Sequence, residues 1–313
     1  MEDRHIVIVG SYNVGLFFKG DTLPGTGETV IFDAFTEGGG GKGSNQAIAC
    51  SKLGGTVCLV ARIGQDKYGQ DALAMYDRYG ISCRGIRVDE TIHTGVSVIL
   101  IDRNGRNMIC VVPGANFNLS REDIDRNRDL LEDAYLVGFQ LENNLDVVAY
   151  GIRQARQAGA LTLLDPAPAR KLPDDLLPFI DIIKPNEHEA SLITGLPVTG
   201  VDEATLAGEW FLQRGVGTAI ITLGEHGCVL VREGKAEHFP APRVDVADTT
   251  GAGDCFSGAL MAALSRGADY TDAIRFANRA ASMTCRITGV IEAIPDLADL
   301  ADLADLPDLP ETS

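Results

Sequence analysis

From Tyr135 to Gly234 the chain alternates short, almost continuously apolar runs with stretches of helical spacing. The apolar runs are Tyr135–Phe139, Leu161–Leu164, Ile180–Ile183 and Thr218–Thr222. Between them lie helical patterns over Leu145–Ala158, 186–193 and 203–213, and a hairpin turns at Glu233-Gly234. Strands that are apolar along their whole length are buried on both faces. A strand that must be followed by a helix returns parallel to its predecessor. The expected fold class is therefore α/β, with a mostly parallel central sheet between two helical layers. Ile6–Gly10, Val57–Ala61 and the helical patterns from Ser44 to Leu53, Asp66–Tyr79, 254–266 and 269–287 extend the same scheme. In such sheets ligands gather at the carboxyl ends of the strands.

Two pieces break the alternation. Residues 12–37 hold no long helical pattern but include the strand-like run Glu28–Phe35. Val96–Ile101 and Asn107–Val112 flank Asn104-Gly105, a strong hairpin signal. The expectation is a small β lid, from about 12–37 and 93–113, over the edge of the main sheet. At the other end, Pro295–Leu309 repeats Asp-Leu-Ala or Asp-Leu-Pro every three residues. That period drifts around a helix and builds no apolar face, so an acidic, solvated tail is expected there.

Net charge excludes several partners. At −17 over 313 residues the surface repels nucleic acid and anionic membranes. An anionic ligand would have to be held by local dipoles and single cations. The seven cysteines are odd in number and lack metal-ligand or redox-pair spacing, so they read as thiols in a reducing compartment. No secretory pattern opens the chain and no apolar run is long enough to span a bilayer. The expected location is cytoplasmic.

Residues 245–258, Asp-Val-Ala-Asp-Thr-Thr-Gly-Ala-Gly-Asp-Cys-Phe-Ser-Gly, carry the sharpest chemical signal. Gly251, Ala252 and Gly253 allow a close backbone approach, and helical spacing starts at once behind them. Free N–H groups and the positive end of the helix dipole make such a place an anion site. Asp254 sits inside it, where a carboxylate would repel a phosphate unless it is there to take a proton. The plainer reading is an acidic residue that complements the dipole.

Four further clusters stand out. Gly40-Gly41-Lys42-Gly43-Ser44-Asn45 is a glycine-rich loop entering a helix, without P-loop spacing. Lys42 and Asn45 suit sugar hydroxyls, while a flexible turn with an exposed lysine is the plainer reading. Glu142 follows the strand 135–139 and is either a hydroxyl acceptor or the acidic start of a helix. Asn186 and Glu189 lie on one face of a starting helix. They suit a hydrated Mg²⁺ or equally a capping box. Thr222-Leu223-Gly224-Glu225-His226-Gly227 closes a strand, with glycines that admit a nucleotide or simply make a tight turn.

Taken in order, these clusters, with Gln140-Leu141-Glu142 and Asp-Pro-Ala-Pro-Ala-Arg at 165–170, resemble the ribokinase-like (PfkB) carbohydrate kinases from about Ile6 to Ile294. The resemblance implies one kinase domain over 1–294, a three-layer α/β/α fold with a β lid, and an appended tail at 295–313. It implies ATP-dependent phosphorylation of a primary hydroxyl of a pentose or related small sugar. Asp254 is then the catalytic base, and Gly251, Ala252, Gly253 and Asp254 build the anion hole. Asn13, Gly41, Lys42, Asn45 and Glu142 match sugar-binding positions. Asn186, Thr222, Gly224, Gly227 and Asn278 match the nucleotide site. Asn186 and Glu189 would position Mg²⁺ through water, and Asp248, Thr250, Cys285 and Gly289 would hold K⁺. A homodimer paired through the lid is also implied. Alternatives are a nucleoside kinase of the same fold and a non-catalytic sugar or nucleotide sensor.

Two departures qualify the match. Members usually carry an Asp, gripping two ribose hydroxyls, where this chain has Gly15 in Gly10-Ser11-Tyr12-Asn13-Val14-Gly15. The missing side chain is expected to leave room for a larger or differently configured sugar, with Tyr12 or Lys19 supplying new contacts. Ala293 likewise removes one side-chain ligand from the K⁺ site.

Overall fold

The computed structural model describes residues 4–301. Its strands are β1 (His5–Val9), β2 (Asn13–Lys19), β3 (Ala34–Gly40), β4 (Val57–Gly64), β5 (Ser82–Asp89), β6 (Gly95–Ile101), β7 (Asn107–Val112), β8 (Ala134–Phe139), β9 (Leu161–Leu164), β10 (Ile182–Ile183), β11 (Thr218–Thr222), β12 (Cys228–Arg232) and β13 (Lys235–Phe239). The helices are α1 (Lys42–Lys52), α2 (Lys67–Arg78), α3 (Arg121–Arg126), α4 (Arg128–Glu132), α5 (Leu145–Ala158), α6 (Glu187–Thr194), α7 (Val201–Leu212), α8 (Ala252–Ser265), α9 (Tyr270–Thr284) and α10 (Leu297–Ala301).

Nine strands form the main sheet in the order β13-β12-β11-β10-β9-β8-β1-β4-β5. From β11 to β5 every pairing is parallel, and only the β11–β12 and β12–β13 pairings at one edge are antiparallel. Period-two alternation divides the core between the faces. Ile6 and Ile8 of β1 join the apolar cluster under α1, α2, α8 and α9, while Val7 and Val9 join the cluster under α3 to α7. The architecture is thus the expected α/β class, three layers deep.

A second sheet of four strands, in the order β3-β2-β6-β7, projects from β1 and α1. It is the small lid, with one difference from the sequence reading. The strand expected over Glu28–Phe35 instead runs from Ala34 to Gly40. It is placed by backbone pairing with β2, from Lys19↔Ala34 to Asn13↔Gly40. Pairing through main-chain groups admits glycine, so Gly38, Gly39 and Gly40 are strand residues rather than loop. The helix then starts at Lys42, two residues before the expected Ser44.

The acidic tail also begins differently. Leu297–Ala301 is a helix, and Leu300 is buried in the α1/α8/α9 cluster. Asp299 accepts the Asp296 N–H at 2.8 Å and caps this turn. Tertiary docking of one leucine supplies what the three-residue period lacks. The rest of the repeat lies outside the described residues.

Candidate active site

The parallel strands end on one side of the sheet, and the chemically distinctive residues leave from those ends. Ser11 follows β1, Glu142 follows β8, Asp165 follows β9, Lys184 and Asn186 follow β10, and Thr222 ends β11. Asn186 and Thr222 form a β-bridge, which sets those two clusters side by side. Helix α1 enters from the lid, and α8 packs beside it on the same face of the sheet. The inner surfaces of α1 and α8 touch through Gly258, where an added Cβ would stand 2.6 Å from Ala49 Cβ and from Gln46 O.

Gly251 caps α8 with φ 81°, a left-handed conformation suited to glycine. Helix geometry leaves the first N–H groups without intrahelical acceptors. Among them, Ala252 N–H makes a long 3.3 Å turn contact to Thr249 O. Gly253 is exposed, so this terminus is open, whereas the Asp254 side chain is buried just inside it. Asn45 Nδ2 donates to Asp254 Oδ2 at 2.8 Å, and Gln46 Nε2 donates to Oδ1 at 3.2 Å. Two amides on consecutive residues of α1 therefore fix one carboxylate of α8. Asn45 Oδ1 is buried and has no hydrogen-bond partner among the described residues.

A second layer supports the first. Gln46 Nε2 also donates to Asp165 Oδ2 at 2.9 Å, and Gln140 Nε2 donates to Gln46 Oε1 at 2.7 Å, which sets the orientation of that amide. Asp165 Oδ2 further accepts Ser257 Oγ–H at 3.0 Å and pairs with Lys184 Nζ at 3.0 Å. Lys184 donates to Gly253 O at 3.1 Å, from directly beneath the α8 N-terminus. Lys184, Asp165, Gln46, Gln140 and Ser257 were not singled out as site residues from sequence. Their types are ordinary in a buried polar network, and only the fold makes them neighbours.

The sugar-type cluster assembles at the lid side. Glu142 Oε2 accepts Ser11 Oγ–H at 2.5 Å and the Lys42 amide at 2.8 Å, with Asn13 Nδ2 at 3.5 Å. Asn13 Oδ1 is held by Asn116 Nδ2 at 2.9 Å. Asn116 also clamps the backbone of Tyr12 through both its amide atoms. Gly41 has φ 89°, and a Cβ there would stand 2.8 Å from Asn13 N and Tyr12 Cα, so the loop packs directly on the β1–β2 turn. The charge of Asp254, against the lowering effect of burial and with help from Asp165, Glu142 and Glu189, holds the Lys42 ammonium above the ordinary lysine value.

Asn186 and Glu189 form a capping box on α6. Asn186 Oδ1 accepts the Glu189 N–H at 2.9 Å, and Glu189 Oε2 accepts the Asn186 N–H at 2.8 Å. The capping-box reading holds, and each side chain keeps further lone pairs. Burial first, and the Asp165 charge second, push the Glu189 carboxyl above its ordinary value. Thr222 is partly exposed beside them and Gly224 is open. Gly227 differs, since a Cβ there would stand 2.0 Å from Phe239 O. Strand packing accounts for that glycine without a ligand. Asn278 is buried and donates to Phe239 O at 3.2 Å.

Within the K⁺ set, internal hydrogen bonds hold the Asp248 carboxylate and the Cys285 carbonyl. Asp248 Oδ1 accepts Thr250 N–H and Oγ–H at 2.9 and 2.6 Å, and Oδ2 accepts Gly289 N–H at 3.3 Å. The Cys285 carbonyl accepts both Ala247 and Asp248 N–H groups. Opposing the raising effect of burial, the bonds from Thr250 and Gly289 and the Lys19 charge hold the Asp248 carboxyl below its ordinary value. Among the described residues no group of three His, Cys, Asp or Glu side chains is arranged to hold a metal.

The expectation about Gly15 needs correction. The space over this glycine is not empty: an added Cβ would stand 2.7 Å from Cε2 and 3.0 Å from Cζ of Phe17. Tyr12 turns the other way, buried edge-to-face against Tyr76 with centroids 6.1 Å apart. Lys19 is exposed.

Comparison with known proteins agrees with this geometry. The family model described as pfkB family carbohydrate kinase matches residues 3–297. A ribokinase of Staphylococcus aureus (strain COL) is 36% identical over 292 residues, covering 93% of this chain and 96% of the relative. A deoxyribokinase of Salmonella typhi is 33% identical over 293 residues, with 93% and 96% covered. Among solved structures, an Arabidopsis thaliana ribokinase complexed with ribose and ATP superposes with a TM-score of 0.90 at 30% identity, covering 98% of this chain and 100% of that one.

Proposed function

This chain belongs to the pfkB family of carbohydrate kinases, and from that premise we propose that it transfers the γ-phosphoryl group of ATP to a primary hydroxyl of a pentose or a related small sugar. The observation that carries the proposal is the placing of Asp254. A lone carboxylate is buried in the first turn of α8, where phosphate oxygens would be drawn, and two amides hold it in one orientation.

In this reading the sugar lies between the lid and the α8 N-terminus. Glu142 keeps Oε1 for a sugar hydroxyl, because the contacts from Ser11, Lys42 and Asn13 all fall on Oε2. Asn45 spends its donor on Asp254 and keeps Oδ1 as an acceptor. The bound hydroxyl gives its proton to Asp254 as its oxygen attacks the γ-phosphorus, and the bond to the β–γ bridging oxygen breaks to release ADP. The amides of Gly253 and Asp254, with the dipole of α8, stabilise the equatorial oxygens. A positioned base contributes roughly 10²–10⁴-fold, and preorganised donors a comparable factor. Lys42 adds a cation near the same oxygens. Asn186, Thr222 and Gly224 border the nucleotide.

The oxygen donors of Asn186 and Glu189 fit a hydrated Mg²⁺ as outer ligands, since hard cations keep water and take carboxylate and amide oxygens. Bound there, Mg²⁺ would neutralise phosphate charge. The Asp248 carboxylate and the backbone carbonyls of Thr250, Cys285 and Gly289 are the oxygen donors that would hold K⁺, and no step runs through that ion. The lid edge exposes Met108, Ile109, Val111 and Val112 of β7, which supports a homodimer paired through the lid.

Sugar-dependent ADP release measured across a pentose, hexose and nucleoside panel tests the proposal. Asp254→Asn should lower kcat by at least about 10³-fold while ATP and sugar still bind by calorimetry. Turnover that survives this substitution removes Asp254 from the mechanism, and preferential use of a nucleoside removes the free-sugar assignment.

A further inference from the structure

The lid wall that faces the cleft sets two adjacent glycines, Gly15 and Gly38, beside one aromatic ring, Phe17. Alternation along β2 places Asn13, Gly15, Phe17 and Lys19 on one face. Asn13 reaches toward Glu142 from that face, so the face looks into the cleft. Gly15 lies between Gly38 of β3 and Ser97 of β6, and Ser97 is followed by Val111 of β7. This row crosses the lid with a single polar side chain, the Ser97 hydroxyl. In the next row Phe17 lies between Thr36 and Ile99.

Phe17 does not stand upright in its own row. Its ring leans back over Gly15, with Cε2 2.7 Å and Cζ 3.0 Å from where a Cβ of residue 15 would be. The ring buries Gly15 and stays partly open itself. A side chain at 15 would meet the far edge of this ring and push it aside. Gly15 and Phe17 therefore act as one device, which presents C–H groups on the face of the lid that looks toward Glu142.

We propose that Phe17, seated on Gly15, is the specificity determinant of the sugar site and selects a pentose edge bearing C–H where D-ribose bears a hydroxyl, that is, a deoxypentose. The proposal rests on the kinase reading and narrows its substrate. A ring edge packs well on a C–H face but offers no acceptor. A hydroxyl pressed against it leaves water without replacement, which discriminates by roughly ten- to a hundred-fold. Ser97 provides for one hydroxyl in that row, not for a pair.

The test compares kcat/KM for D-ribose, 2-deoxy-D-ribose and 3-deoxy-D-ribose in the native enzyme and in Phe17→Ala, Phe17→Tyr and Gly15→Asp/Phe17→Ala. The native enzyme should use at least one deoxypentose about ten-fold or more better than D-ribose, with the difference in KM rather than kcat. Phe17→Ala should bring the ratio within about three-fold, and Phe17→Tyr, which keeps the ring, should retain most of the native preference. The double variant, which introduces an acceptor, should turn the preference toward D-ribose. A native ratio at or below one, or a ratio unchanged in Phe17→Ala, overturns the proposal. So does turnover of other sugars with none of these three. If no sugar of the wider panel drives ADP release, it is the kinase reading that falls instead.

Discussion

Replacing Lys184 by methionine isolates the contribution of the charge beneath the α8 N-terminus. Lys184 and Asp165 are 4% and 3% exposed, and their contact is 3.0 Å. Removing one partner of a buried pair leaves the other charged and unpaid by water, at a cost of about 3–5 kcal/mol. Asp165 keeps its bonds from Gln46 at 2.9 Å and Ser257 at 3.0 Å. Hydrogen bonds to a charged group contribute about 1.5–3 kcal/mol each, so the loss should fall at the low end, about 3 kcal/mol. A urea titration reads this directly: with a slope of about 3 kcal/mol per molar, the midpoint should fall by about 1 M. Asp165→Asn/Lys184→Met removes the stranded charge and should recover at least about 1 kcal/mol of that loss, a coupling expected of contacting residues. The variant Lys184→Met should also lower kcat, because a buried cation is lost beside the anion site and Gly253 O keeps Ser257 but loses its charged donor at 3.1 Å. A loss below about 1 kcal/mol, or a double variant whose loss equals the sum of the single losses, would show that the pair is not the electrostatic support described.

Glu189→Gln should keep the capping bond to Asn186 while removing a carboxylate that burial holds above its ordinary value. A carboxyl raised in the folded state favours folding most below the ordinary glutamate range, and that advantage is lost as pH rises through the raised value. The variant should therefore be more stable than the native protein at pH 7, lose that advantage in acid, and show weaker Mg²⁺-dependent turnover; urea midpoints at both pH values decide it. Burial pushes the Cys50, Cys228 and Cys255 thiols up to about 12, whereas Cys110 is exposed on β7. A thiol reagent at pH 8 should thus label Cys110 faster in the monomeric Val111→Glu variant than in the native protein, and the other three should react only on unfolding. Val111→Glu places a charge in the apolar face of the lid edge and should shift the particle to a monomer in light scattering, with the isolated fold intact by circular dichroism.

Local pattern carried the α/β reading because each signal needed only neighbours along the chain. Leu145–Ala158 matches α5 to the residue, since its apolar spacing and Gly159 lie within one helix length. The hairpin at Asn104-Gly105 and the helix opening at Gly251 were legible for the same reason. The start of β3 was not, because its place depends on hydrogen bonds to β2 across a long connection. Strand β5 and the short helices α3 and α4 also escaped. Their burial is uneven, and Arg62, Asp89 and Asp123 hold that region through ion pairs between distant segments.

Residue type and spacing singled out Asp254, Asn45 and Glu142 as candidates, with plainer readings beside them, because a helix start and a strand end can be read from about ten residues. Which groups share a carboxylate could not be read that way. Gln46 touches both Asp254 and Asp165, 208 and 119 residues away, and the Phe17 ring fills a space that Gly15 was expected to leave open. Both facts depend on where separate strands and helices come to rest and on rotamers chosen by packing. Those choices are made by the assembled molecule, since no single segment contains the partners that decide them.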